Sequence, residues 1–77
     1  GYNCIINSGS IIEHDVEIGD HCHVSTGALI NGGSNIGEQS FIGSGAIIFQ
    51  GVSVGRNCII GAGSIIKKNI PDNKIIK

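Results

Sequence analysis

Aliphatic side chains return every six residues along almost the whole chain. Stepping from Ile6, the positions read Ile6, Ile12, Ile18, Val24, Ile30, Ile36, Ile42, Ile48, Val54, Ile60 and Ile66, all of them β-branched. Four residues after each runs a second, mostly small series: Ser10, Val16, Cys22, Ala28, Ser34, Ser40, Ala46, Val52, Cys58, Ser64 and Ile70. One large aliphatic and one small residue in every six predict a short strand followed by a tight, inward-facing corner. Fixed short periods of this kind mark a β-solenoid, in which each rung buries its core only by stacking on its neighbours. A helix is excluded. Six residues drift against 3.6 per turn, and each interior glycine would cost about 1 kcal/mol.

The hexad resembles the bacterial-transferase hexapeptide repeat. That resemblance implies an all-β fold, a left-handed parallel β-helix of about four triangular coils with three hexapeptides in each. Its handedness runs against the usual right-handed crossover rule. The repeat breaks at Pro71–Asp72, so we expect the solenoid over residues 1–71 and an exit segment over 72–77.

Sorting the outward residues at a spacing of 18 separates three faces. One face carries Ile11, Leu29, Ile47 and Ile65; a second carries Ile5, His23, Phe41 and Ile59; the third carries Glu17, Asn35 and Ser53. Two apolar ladders and one polar face suit a closed threefold ring in which each subunit touches both neighbours. A homotrimer is therefore expected.

Bulk composition narrows the class. Seventy-seven residues with 13 glycines, one proline, no tryptophan and three aromatics do not make an ordinary globular core. A net charge of −1 gives no nucleic-acid footprint, and no apolar run approaches membrane-spanning length. Cys4, Cys22 and Cys58 form no CxxC pair and no zinc spacing, which fits a reducing compartment, the cytoplasm by default. The first residue is glycine, so a fragment lacking a preceding domain is expected.

Candidate chemistry rests on three histidines. His14 lies in a corner between Glu13 and Asp15, where a neighbouring carboxylate can orient an imidazole base; from spacing alone it reads equally as a solvated polar corner. His23 interrupts the Ile5–Phe41–Ile59 ladder and so faces the expected subunit interface, whereas His21 reads as a surface corner residue. Nine residues, half a coil, separate His14 from His23, which places them on opposite sides of one prism. If both act, the site lies between subunits. A three-histidine zinc site lacks the longer-range spacing it needs, so no metal is expected. An ice-binding threonine ladder is excluded because Thr26 is the single threonine.

The run from Ile11 to Ala28, containing Ile-Ile-Glu-His-Asp-Val-Glu-Ile-Gly-Asp-His-Cys-His-Val-Ser-Thr-Gly-Ala, resembles the sugar acetyltransferases of the NeuD/PglD type. So does Ile60-Gly-Ala-Gly-Ser-Ile-Ile-Lys-Lys-Asn-Ile-Pro-Asp72. The resemblance implies transfer of acetyl from acetyl-CoA to a nucleotide-linked amino sugar or sialic acid, in a trimer with intersubunit sites. It further implies His14 as general base, Asp15 (or Glu13) as its acidic support, and His23 at the thioester. Gly32 is implied as a backbone donor to the acetyl carbonyl, with Ser44 and Ala62 along the pantetheine and adenine slot. The family's N-terminal nucleotide-sugar-binding domain has no counterpart in these residues. A non-catalytic trimerisation solenoid is the alternative reading.

Overall fold

The computed structural model describes residues 2–77. Twelve two-residue strands form three parallel sheets, one per face of a triangular prism. The five-stranded face stacks β1 (Ile5–Ile6), β4 (His23–Val24), β7 (Phe41–Ile42), β10 (Ile59–Ile60) and β12 (Ile75–Ile76). The four-stranded face stacks β2 (Ile11–Ile12), β5 (Leu29–Ile30), β8 (Ile47–Ile48) and β11 (Ile65–Ile66). The three-stranded face stacks β3 (Glu17–Ile18), β6 (Asn35–Ile36) and β9 (Ser53–Val54). Register is +18 at the pairs from Ile5↔His23 to Ile47↔Ile65, so the three outward ladders are those read from the sequence.

Alternation along each strand sends the second residue inward. From the second coil upward Val24, Ile30, Ile36, Ile42, Ile48, Val54 and Ile60 are buried, with Cys22, Ala28, Ala46 and Cys58 filling the corners between them. Small inward polar groups are satisfied across coils. The Cys4, Cys22 and Ser40 side chains each donate to the carbonyl fifteen residues on, at Gly19, Gly37 and Gly55, over 3.0, 3.1 and 2.7 Å. The Cys58 thiol donates likewise to the Pro71 carbonyl at 3.1 Å. These cysteines are therefore hydrogen-bonding members of the core as well as small packing residues.

From Ile6 to Ile60 each inward aliphatic is followed, three positions on, by one left-handed corner residue. Glycine fills it at Gly27, Gly33 and Gly45, whereas Asp15, His21, Gln39 and Asn57 adopt the same positive φ. A different constraint acts at Gly37, where an added Cβ would sit 2.5 Å from the Arg56 nitrogen of the next coil. Close stacking of coils, not φ, demands glycine there.

The end of the solenoid differs from the expectation. The chain does not leave at Pro71: Ile70 bridges to Val54, and β12 pairs with β10 as Ile59↔Ile75 and Ile60↔Ile76, a register of 16 instead of 18. The corner at 67–69 is two residues short, and the Asn69 side chain makes up a lost backbone partner. Asn69 Oδ1 accepts from the Ser53 N–H at 2.9 Å, and Asp72 Oδ1 accepts from the Arg56 N–H at 2.9 Å. Ile70 thus joins the large inward column, not the small corner series in which the hexad count had placed it.

Candidate active site

His14 sits on the edge between the four-stranded and three-stranded faces, projecting from the turn that follows Ile12. Its Nδ1 lies 3.1 Å from Asp15 Oδ2, and both side chains are largely exposed (88% and 83%). Glu13 makes no such contact, so the acidic partner of His14 is Asp15. With Nδ1–H donated to the carboxylate, Nε2 is the nitrogen free to take a proton.

Directly one coil above His14 is Gly32, and an open groove of about 340 Å³ joins them. Its walls are Glu13, His14, Asp15, Asn31, Gly32, Gly33 and Gln50. A Cβ at position 32 would approach the His14 carbonyl to 3.2 Å, so glycine keeps this wall low. Among the described residues the Gly32 N–H has no acceptor within the chain. Asn31 uses its amide nitrogen on the Ile48 carbonyl at 3.0 Å, which fixes its orientation at the groove wall. Asn31, Gly33 and Gln50 were not singled out from the sequence, although adding 18 or 36 to positions 13–15 reaches all three.

The remaining sequence candidates lie elsewhere. His23 projects half-buried from the five-stranded face, stacked on Phe41 at 4.9 Å between ring centroids. Ser44 and Ala62 stand one coil apart on the edge that joins this face to the four-stranded one, both exposed. Their N–H groups, like that of Gly32, find no acceptor in the chain among the described residues. One prism therefore carries two separate groups. His14, Asp15 and Gly32 share one edge, while His23, Ser44 and Ala62 lie on the side opposite. His21 sits at the left-handed position of its corner and packs edge-on to Tyr2, 6.4 Å between centroids.

Among the described residues no three His, Cys, Asp or Glu side chains converge as a metal ion would require. The cysteines are unpaired, and burial pushes the Cys22 thiol above its ordinary range. Among the described residues no helix is long and apolar enough to cross a membrane.

Two family descriptions match the chain. The bacterial transferase hexapeptide of six repeats matches residues 1–32, and the hexapeptide repeat of succinyl-transferase matches residues 35–68. The chain belongs to the hexapeptide-repeat transferase family. Its fold is accordingly that family's left-handed β-helix. Among solved structures, the acetyltransferase domain of PglB from Neisseria gonorrhoeae in complex with acetyl coenzyme A superposes with a TM-score of 0.92 at 38% identity. A histidine-to-asparagine mutant of perosamine N-acetyltransferase from Caulobacter crescentus, in complex with CoA and GDP-perosamine, does so with a TM-score of 0.92 at 35% identity. Each match covers 94% of this chain but only 35% and 34% of the other. The hexapeptide chain thus spans about a third of the length of these structures. Serine acetyltransferase isoform 3 from Entamoeba histolytica, with a TM-score of 0.68 at 24% identity over 91% of this chain and 35% of its own, shares the fold. Curated proteins give no match to the chain.

Proposed function

We propose that this solenoid is the catalytic module of an acetyl-CoA-dependent sugar acetyltransferase, working as a homotrimer with each active site between two subunits. The observation that carries this reading is the division of the candidate residues into two half-sites on opposite sides of the prism. Neither half is sufficient. His14, Asp15 and Gly32 supply a base and an oxyanion donor, while His23, Ser44 and Ala62 offer a cofactor-binding wall. A threefold ring brings the first half of one subunit against the second half of its neighbour, using the two apolar faces as the contact.

In this reading the acceptor amine or hydroxyl attacks the thioester carbonyl while His14 Nε2 removes its proton. Asp15 holds the imidazole through Nδ1 and favours the imidazolium that forms. The Gly32 N–H stabilises the oxyanion, and collapse expels the CoA thiolate, which takes up the proton. The three cysteines stand in an inward column and their thiols are engaged by carbonyls, so attack is direct and no acyl-enzyme is invoked.

Charge along the prism supports the assignment. The first coil holds Glu13, Asp15, Glu17 and Asp20, while the last holds Lys67, Lys68, Lys74 and Lys77. At ~4.8 Å per coil, three coils separate these ends by roughly 14 Å, a span suited to an extended pantetheine arm. An amino sugar favours the acidic end beside His14, and CoA phosphates favour the basic end. The PglB and perosamine enzymes bind acetyl-CoA, or CoA with GDP-perosamine, on the same scaffold. A nucleotide-linked amino sugar is therefore the preferred acceptor, with sialic acid second, in the cytoplasm.

The experiment is a thiol-release assay of the full-length protein with acetyl-CoA against a panel of nucleotide-linked amino sugars and sialic acid. Acceptor-dependent release of CoA is expected. A trimer that neither binds acetyl-CoA nor releases thiol would instead be a non-catalytic trimerisation solenoid.

A further inference from the structure

Asn7 and His23 meet across the first two coils, with the Asn7 Nδ2 3.0 Å from His23 Nε2. A primary amide nitrogen only donates, so Nε2 is the accepting nitrogen and the ring proton resides on Nδ1. An imidazole free in water favours the opposite tautomer, Nε2–H. The contact therefore selects the minor form. Both partners are held in place. The Asn7 N–H donates to the Val24 carbonyl at 2.9 Å, and the Asn7 carbonyl accepts from the Ser10 N–H and hydroxyl. Phe41 packs on the other side of the His23 ring at 49° between planes. The equivalent turn positions of higher coils are Ser25, Gly43 and Gly61, so only the coil beneath His23 presents an amide there.

We infer that Asn7 is a positioning residue that fixes His23 as the Nδ1–H tautomer, making Nδ1–H the one donor His23 can offer to a ligand on its face. The identity of that ligand, the thioester region of acetyl-CoA, rests on the acetyltransferase reading; the tautomer does not. A histidine at this wall that kept its proton on Nε2 would spend it inside the chain or lose the Asn7 contact. Fixing the tautomer beforehand removes that competition before a cofactor arrives.

The test is nitrogen-15 NMR of histidine-labelled full-length protein at about pH 8, where imidazole is neutral, with His23 assigned by its loss in His23→Gln. Wild-type His23 is expected to show a protonated Nδ1 and a bare Nε2. Asn7→Ala should lose this signature and return to a mixture dominated by Nε2–H, and Asn7→Asp should place the proton on Nε2. A wild-type ring with Nε2–H, or a tautomer unchanged in Asn7→Ala, would overturn the inference. If Asn7→Ala does not fold, the wild-type spectrum alone still decides it. In the thiol-release assay, Asn7→Ala should lower kcat more than it raises the acceptor KM, and an unchanged kcat would remove the positioning role. Absence of turnover in the wild type would instead remove the acetyltransferase reading, leaving the tautomer measurement to judge Asn7.

Discussion

His14 Nδ1 and Asp15 Oδ2 lie 3.1 Å apart because Asp15 occupies the left-handed position of its corner, at φ 63°, where the next two coils of the same edge have Gly33 and Gly51. A carboxylate stands where glycine would be the easier choice. Aspartate is among the few residues that tolerate this conformation, and its short side chain stays beside the preceding imidazole.

Asp15→Asn tests that arrangement. Asparagine tolerates the same backbone and keeps an acceptor oxygen, so the melting temperature should hold. It lacks the charge that favours imidazolium, so kcat should fall while the acceptor KM changes little. A variant with full kcat would show that His14 works without its carboxylate.

Glycine substitutions separate two constraints that look alike in the sequence. Gly45→Ala meets nothing within 4 Å but forces alanine to φ 71°, at a cost of about 1–2 kcal/mol. Gly37→Ala drives a Cβ to 2.5 Å from the Arg56 nitrogen of the next coil, which rigid backbone cannot yield, and should cost about 3 kcal/mol or more. Urea unfolding of both variants should rank Gly37→Ala as the more damaging.

Alkaline stability should report on Cys22. Desolvation by burial raises its folded-state thiol above the ordinary value, so in the alkaline range the unfolded chain ionises first and binds fewer protons. Stability therefore falls as pH rises through and beyond the ordinary thiol range. Cys22→Ser should flatten that decline while preserving the donor to the Gly37 carbonyl, as Ser40 does one coil above with Gly55. An alkaline slope unchanged in urea titrations of Cys22→Ser would assign it to other groups.

The corner at 67–69 should depend on a side chain that stands in for backbone. Asn69→Ala leaves the Ser53 N–H without its 2.9 Å acceptor, a loss of about 1 kcal/mol, and should raise hydrogen exchange selectively at Ser53 and in the last coil above it. Protection at Ser53 and through the last coil unchanged from wild type would contradict this.

The three faces were legible because a strict period of 18 fixes both register and outward direction: Ile5, His23, Phe41 and Ile59 are one ladder by arithmetic and in space. The opposite placement of His14 and His23 followed from the same count. The terminus was not legible, because Pro71 breaks the hexad whether a chain exits or merely shortens one corner. What distinguishes the two is Asn69 replacing a backbone acceptor, a substitution visible only in three dimensions. Asn31 and Gln50 were within reach of the arithmetic, but neither carries a titratable group that draws attention to it.

The division of the site between subunits is tested most directly by mixing two inactive variants, His14→Ala and His23→Ala, after dissociating and reassembling them together. In a ring whose sites pair His14 of one subunit with His23 of its neighbour, random mixing at equal amounts restores about a quarter of the sites. Each variant alone should turn over at roughly 1% of wild type or less, and the mixture at about a quarter of it. A mixture no more active than its parents would show that both histidines do not act across one interface, and would contradict the intersubunit site.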